Sequence, residues 1–215
     1  MAARLEAAVP GWQDQLFAAA RRRGDQLDAV AVSHALPIRP VEIEMGVVIC
    51  REGARLRIDG VGGKVNESRQ QGQPTWTVWL DATCSLPEVS YLVERAAGGP
   101  LTVRCPRYAL RRAVYGAAHA AFGEAGAGVS PYVLRHAQEA GLRGHDPVFC
   151  ALVSRHASTR SQTCYGRLTR GRRAPAVVDA AGSRPVRQPG RPEPAANGDR
   201  VDVVPDPAPD GCRPG

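Results

Sequence analysis

The chain has 215 residues, of which 43% are hydrophobic, and a formal net charge of +7 at pH 7. This length allows one or two domains with an apolar core, and the charge favours a polyanionic partner such as nucleic acid. No apolar run approaches the roughly 20 residues that span a bilayer and no secretory signal is visible, so we exclude a membrane protein and expect a cytoplasmic one. The six cysteines stand singly without a Cys-x-x-Cys pair, which favours reduced thiols and predicts no bound metal.

Two helices are predicted near the N-terminus, at residues 11–23 and 25–34, from apolar side chains at helical spacing. A third helix is expected to begin at Pro40, because proline suits the first turn of a helix. Arg39 stands immediately before this proline and Glu42 follows three residues after the arginine. The carboxylate can hold the back edge of the guanidinium and leave its front free for an anion; the alternative is a local helix-start interaction.

Three segments, at 45–50, 55–59 and 75–80, alternate or run apolar in the manner of β-strands, with glycine-containing turns nearby. Lys64 directly follows a Gly-Gly pair between the second and third segments and is the only lysine among 28 basic residues. An ammonium group can give up its proton, which a guanidinium effectively cannot. Lys64 is therefore a candidate proton donor, the alternative being a solvated turn residue.

Helices are also expected at 86–97 and 106–122, followed by two that begin with a capping residue and a proline, at Ser130-Pro131 and Asp146-Pro147. The first of these last two carries Tyr132 and Arg135. His156 falls just past the end of the second, and Tyr165 follows nine residues later. Nine residues suffice for a turn and two helical turns that bring the phenol back beside the imidazole.

An arginine, a histidine and a tyrosine brought together suit attack on a phosphodiester. A guanidinium holds two phosphate oxygens at once, a tyrosine hydroxyl can form a covalent phosphoester, and a histidine can donate a hydrogen bond or relay a proton. Each of the three taken alone can equally be an ordinary residue on an amphipathic helix.

The strings Leu134-Arg135-His136 and Arg155-His156-Ala157-Ser158, followed by Tyr165, resemble the C-terminal signature of tyrosine recombinases, the family of phage integrases. The resemblance also implies an earlier arginine with an acid three residues later and a lysine on a β-hairpin. Arg39 with Glu42 matches the first of these, and Lys64 matches the second. The spacings 25, 71, 21 and 9 between Arg39, Lys64, Arg135, His156 and Tyr165 fit a compact catalytic domain.

The resemblance implies a site-specific DNA recombinase or integrase that cleaves and rejoins strands through a 3′-phosphotyrosyl intermediate. It makes Arg39, Lys64, Arg135, His156 and Tyr165 the catalytic residues. The first three also contact the DNA, with Lys64 protonating the leaving 5′ oxygen. It further implies no cofactor, a tetramer assembled on double-stranded DNA, and a location on the nucleoid.

The chain departs from the family pattern in several places. Tyr132 stands where a histidine is usual, so the resemblance passes the supporting hydrogen-bonding role of that histidine to a phenol. Arg155 and Pro37 each replace a usual glycine, and no N-terminal clamp domain precedes the catalytic residues. These departures leave two alternatives open. One is a catalytically inactive, truncated DNA-binding remnant or regulator of a recombinase, and the other is an unrelated basic helical protein whose matches are chance.

The expected fold class is α+β, with a mainly helical catalytic domain at residues 1–167 that carries a small three-stranded antiparallel β-sheet. Residues 168–215 hold nine of the 18 prolines and few large apolar side chains. This composition predicts a disordered C-terminal tail rich in proline and arginine.

Overall fold

Helices are the commonest element of the described chain, which in this computed structural model comprises residues 2–142, 144–160 and 176–188. Within these residues the α-helices are α1 (Ala2–Ala8), α2 (Trp12–Arg23), α3 (Leu27–Ala35), α4 (Pro40–Met45), α5 (Pro87–Arg95), α6 (Arg107–Phe122), α7 (Pro131–Gly141) and α8 (Pro147–Val153). All but α1 were predicted from the sequence.

Local signals explain where several helices begin and end. Gly24 ends α2 in the left-handed conformation, and its N–H donates to the carbonyl of Ala20. Asp146 begins α8, where its carboxylate accepts a hydrogen bond from the N–H of Phe149 at 2.9 Å. Proline occupies the first turn of α4, α5, α7 and α8. The start of α4 matters most, because it fixes the direction of Arg39.

The β-sheet has five antiparallel strands in the order β4-β1-β2-β3-β5. They are β1 (Val47–Glu52), β2 (Arg55–Val61), β3 (Thr75–Asp81), β4 (Leu101–Val103) and β5 (Val177–Gly182). Ile49 pairs with Ile58, which pairs in turn with Val78, and all three are buried on the face toward the helices. The opposite face is more exposed and carries a mixture of polar and apolar side chains, such as Arg57, Thr77 and Val48, which alternation along each strand places there.

The prediction of a three-stranded sheet was wrong, because β4 and β5 flank the three predicted strands. Strand β4 is only three residues long, which is too short to show alternation. Strand β5 lies inside the segment predicted to be a disordered tail, and that prediction was wrong for residues 176–188. The disorder prediction used the average composition of 48 proline-rich residues. That average does not reveal the six residues Val177–Gly182, which form an edge strand paired with β3.

Residues after β5 hold two loops of the domain together. The side-chain amide of Gln73, which is fully buried, donates to the carbonyl of Arg184 at 2.9 Å and accepts from its N–H at 2.7 Å. The N–H of Arg187 donates to the carbonyl of Ala157 at 3.0 Å, and the N–H of Thr159 donates back to Arg187 at 3.1 Å. This segment therefore joins the β2–β3 loop to the residues that follow α8.

The apolar core lies between the sheet and the helices. Trp12, Leu16 and Phe17 of α2 are buried in it, together with the inward-facing residues of the central strands. Glu44 of α4 also forms a solvent-exposed ion pair with Arg107 of α6, at 2.6 Å. None of the helices in the described part of the chain is both long and apolar enough to cross a bilayer.

Candidate active site

Arg39 occupies the residue before α4 with an extended backbone, and its side chain forms an ion pair with Glu42. Its Nη1 lies 2.8 Å from Oε1 of Glu42, and its backbone N–H donates to Oε2 of the same carboxylate at 2.8 Å. The Glu42 side chain is completely buried, whereas 16% of the Arg39 side chain is exposed. Glu42 therefore holds Arg39 from the protein side and leaves part of the guanidinium open to solvent.

The loop that carries Lys64 is in contact with the same carboxylate. The N–H of Gly63 lies 3.4 Å from Oε1 of Glu42, and a β-carbon on Gly63 would lie 2.2 Å from Cγ1 of Val41. Only a glycine permits this approach of the loop to α4. Lys64, the next residue, is exposed in the turn between β2 and β3.

Arg135 lies on the second turn of α7 and is only 3% exposed. Its Nη1 donates to the carbonyl of Pro37, its Nη2 donates to the carbonyl of Ser154 at 3.3 Å, and Nη2 also lies 2.6 Å from Oε1 of Glu139. The bond to Pro37 places this guanidinium beside the segment that leads into Arg39. Tyr132, one turn earlier on α7, is 54% exposed.

Helix α8 ends in a Schellman motif that fixes the position of His156. The N–H of Arg155 donates to the carbonyl of Leu152 at 2.9 Å, and the N–H of His156 donates to the carbonyl of Ala151 at 2.7 Å. The residue in the left-handed conformation is Arg155, with φ of +59°. Glycine usually occupies this place because a β-carbon is strained there.

The side chain of Arg155 is fully buried and makes four contacts. Nε lies 3.2 Å from Oε2 of Glu42, Nη2 donates to the carbonyl of Pro37, and Nη1 donates to the carbonyl of Val153 at 2.8 Å. The guanidinium carbon lies 4.9 Å from the centre of the Trp76 ring. Burial lowers the pKa of Arg155 to about 9, with Glu42 opposing the shift, so the group is charged at neutral pH.

His156 lies among these guanidiniums and is 8% exposed. Its carbonyl accepts a hydrogen bond from Nε2 of Gln73 at 3.4 Å. Burial, together with the nearby charges of Arg135, Arg39 and Arg155, lowers the pKa of the imidazole to about 3, while Glu42 opposes the shift. The ring is therefore neutral at physiological pH, and it lies close enough to all three arginines for their charges to act on it.

Charge within this cluster is not balanced. Arg39, Arg135 and Arg155 contribute +3 and the buried carboxylates of Glu42 and Glu139 contribute −2, which leaves +1. Burial on its own would raise the pKa of Glu42, but Arg155, Arg39 and Arg135 outweigh it and hold that pKa below its ordinary value. The cluster can therefore attract an anion at neutral pH.

The structure brings together four of the residues singled out from the sequence, Arg39, Glu42, Arg135 and His156, and places the Lys64 loop against Glu42. Tyr165 lies outside the described residues. Sequence reasoning gave Arg155 no role beyond its place before His156, and it did not single out Gln73. The only indication at position 155 was that an arginine stands where the tyrosine-recombinase signature has a glycine. Nothing in the sequence indicated a role for Gln73.

Among residues 2–142, 144–160 and 176–188, no three His, Cys, Asp or Glu side chains cluster closely enough to hold a metal ion. Comparisons with protein-family models, with curated proteins and with solved structures yield no match to this chain.

Proposed function

We propose that this protein is a site-specific DNA recombinase that cleaves and rejoins strands through a 3′-phosphotyrosyl intermediate. The observation that carries the proposal is the convergence of Arg39, Arg135 and a neutral His156 in a cluster of net positive charge. A phosphodiester carries one negative charge, and attack at phosphorus concentrates more charge on its non-bridging oxygens. Fixed guanidiniums stabilise that charge without reorganising during the reaction, and each such donor is typically worth about 10²- to 10³-fold in rate.

Arg39 is suited to meet the phosphate first. Its backbone and Nη1 are fixed by a buried carboxylate, and the rest of the group is partly exposed. A guanidinium held in this way loses little conformational freedom when it binds an anion. Arg135 lies deeper and would act mainly through its charge.

In the cleavage step the phenol oxygen of Tyr165 attacks phosphorus, and the bond from phosphorus to the 5′ oxygen breaks. The leaving oxygen takes its proton from the ammonium of Lys64, and the phenol proton passes to the neutral imidazole of His156. A bound phosphate offsets the charges of the arginines, so it raises the low pKa of His156 and makes the ring a better acceptor. Rejoining is the reverse reaction, with a 5′ hydroxyl of a partner strand as the nucleophile.

The proposal includes an assembly. Exchange between two duplexes requires several protomers, and we propose a tetramer formed on double-stranded DNA. Light scattering of the protein alone and with a duplex bearing a reactive site measures the mass of each species. A mass that stays monomeric on such DNA would contradict the tetramer.

One observation favours a second candidate, a DNA-binding protein that does not cleave. Arg135 is nearly inaccessible, and its two terminal nitrogens are bonded to the carbonyls of Pro37 and Ser154 and to Glu139. An arginine occupied in this way can stabilise the fold without contacting phosphate. Such a protein would bind DNA through charge and leave every phosphodiester intact.

Trapping a covalent adduct separates the two candidates. Full-length protein is incubated in EDTA with a pool of nicked duplexes of randomised sequence, and adducts that survive denaturation are recovered. We expect an adduct with the wild type and with Tyr108→Phe, the matched control on an exposed tyrosine of α6, and none with Tyr165→Phe. An adduct with Tyr165→Phe would show that the nucleophile is wrong. Salt-dependent DNA binding without any adduct would favour the non-cleaving protein, and neither activity would reject both.

A further inference from the structure

Arg155 holds a backbone conformation that few residues other than glycine adopt. Its φ of +59° lies in the left-handed region, where a β-carbon crowds the following carbonyl. A strained conformation of this kind persists only when the surrounding structure determines it strongly. The strain directs attention to the contacts that the side chain makes.

Those contacts connect Arg155 with Arg39, Arg135 and His156. Arg155 lies 3.2 Å from the carboxylate of Glu42, which also pairs with Arg39. It donates to the carbonyl of Pro37, the same oxygen that accepts from Arg135. It also directly precedes His156 in the Schellman motif. One buried side chain is therefore linked to each of the groups assigned to the phosphate.

The Glu42 carboxylate is paired with two guanidiniums. Oε1 pairs with Nη1 of Arg39, and Oε2 faces Nε of Arg155 while it also accepts from the backbone N–H of Arg39. With Arg155 present, the sum over these three groups is +2 − 1 = +1, whereas without Arg155 it is +1 − 1 = 0. Arg155 therefore supplies the net positive charge of this group of three, which attracts an anion to the exposed part of Arg39.

We propose that Arg155 is a positioning residue that shares the Glu42 carboxylate with Arg39 and thereby keeps Arg39 available for a phosphate. The inference rests on the proposed function, because it takes the anion bound at Arg39 to be a phosphate of DNA. Arg155 itself is fully buried and does not contact the substrate. Its effect passes through Glu42 to Arg39 and through the electrostatic field to His156, whose pKa also responds to Arg39, Arg135 and Glu42.

The test uses the full chain with three substitutions, Arg155→Gly, Arg155→Gln and Arg155→Lys. Glycine removes the guanidinium and relieves the backbone strain, glutamine removes the charge but keeps a polar stem, and lysine keeps the charge. Arg107→Gln is the matched control. It removes one arginine charge from α6, where Arg107 forms an exposed ion pair with Glu44 of α4. Urea unfolding first establishes which variants are folded.

Two readouts are followed by nuclear magnetic resonance in each folded variant. One is the pKa of His156, and the other is the dissociation constant for inorganic phosphate, measured from the His156 ring shifts. We expect each folded neutral variant to raise the pKa of His156 and to bind phosphate about tenfold more weakly, because a buried charge near the site is lost. The lysine variant and Arg107→Gln should stay within about threefold of the wild type for phosphate.

The outcomes separate this inference from the recombinase proposal. If neutral variants lose phosphate affinity but wild-type protein forms no covalent adduct on nicked DNA, Arg155 has the stated role and the recombinase proposal fails. If a folded neutral variant keeps the wild-type pKa of His156 and the wild-type phosphate affinity, Arg155 has no positioning role. If neither neutral variant folds, Arg155 is a structural residue and the inference is wrong.

Discussion

Replacing Glu42 by glutamine tests the electrostatic description of the cluster most directly. Glutamine is nearly isosteric and keeps an oxygen that can accept from the backbone N–H of Arg39, so the change removes charge and little else. Arg155 would then lie fully buried without the carboxylate that faces its Nε at 3.2 Å. Glu42 opposes the lowering of the Arg155 pKa, so its removal lowers that pKa below about 9, and the variant bears the cost of a buried guanidinium that is either uncompensated or deprotonated.

Removing one partner of a buried ion pair typically destabilises a protein by about 3–5 kcal/mol. We expect the lower end, about 3 kcal/mol, because the bond to Glu42 is only one of the contacts of Arg155. Glu44→Gln is the matched control two residues later in α4. Its partner Arg107 is 64% exposed, so this loss should stay below about 1 kcal/mol.

Urea unfolding at pH 7, followed by tryptophan fluorescence, measures both values. Trp76 is a useful reporter because its ring contacts Arg155 directly. Equal destabilisation by Glu42→Gln and Glu44→Gln would refute the reasoning. A buried carboxylate that balances two guanidiniums must contribute more to the free energy of unfolding than an exposed carboxylate does. A stability gain in Glu42→Gln would refute it more strongly.

Two further predictions concern His156 and Gly63. The pKa of His156 is depressed from 6.5 to about 3 in the folded protein, so its contribution to stability is fully present above pH 6.5 and is lost as the pH falls toward 3. Between pH 7 and 5, His156→Gln should therefore lose about 2 kcal/mol less stability than the wild type. Urea unfolding at several pH values measures the difference, and a variant with the pH dependence of the wild type would contradict the assignment. Gly63→Ala places a β-carbon 2.2 Å from Cγ1 of Val41 and should cost about 1–3 kcal/mol by overpacking. Gly98→Ala, whose added β-carbon meets nothing within 4 Å, should be nearly neutral, and equal thermal stability of the two variants would exclude the close approach.

Much of the framework was accessible from the sequence because its signals are local. Proline in the first turn and a capping residue before it predicted α7 and α8, and alternation predicted the three central strands. Arg39 and Glu42 were paired correctly in advance, because a three-residue separation at the start of a helix brings the two side chains together.

The parts that were missed depend on contacts between distant segments. Gln73 is an ordinary polar residue in the sequence, and only the return of the chain after β5 gives its amide two backbone partners at Arg184. Arg155 gave a local signal, an arginine before His156, but its link to Glu42 spans 113 residues of sequence (155 − 42). No periodicity or spacing rule reaches across that separation.

Removing the segment that was predicted to be disordered tests this long-range packing. One variant ends after residue 175 and lacks β5, and a control variant ends after residue 188. The shorter protein loses the buried side chain of Val177 and leaves the amide of Gln73 without Arg184. A buried unsatisfied polar group costs about 1–3 kcal/mol, and burying a valine is worth about 1.5–3 kcal/mol.

Part of this loss is offset, because residues 176–188 no longer have to be ordered. We therefore expect the protein ending at 175 to be less stable than the one ending at 188 by about 3 kcal/mol, or on the order of 10 °C in melting temperature for a chain of this size. Amide exchange in β3 should also become faster, because its hydrogen-bonded neighbour β5 is absent. Equal melting temperatures for the two proteins would mean that the paired strand adds no stability. The folded unit would then end before residue 176, as the sequence alone predicted.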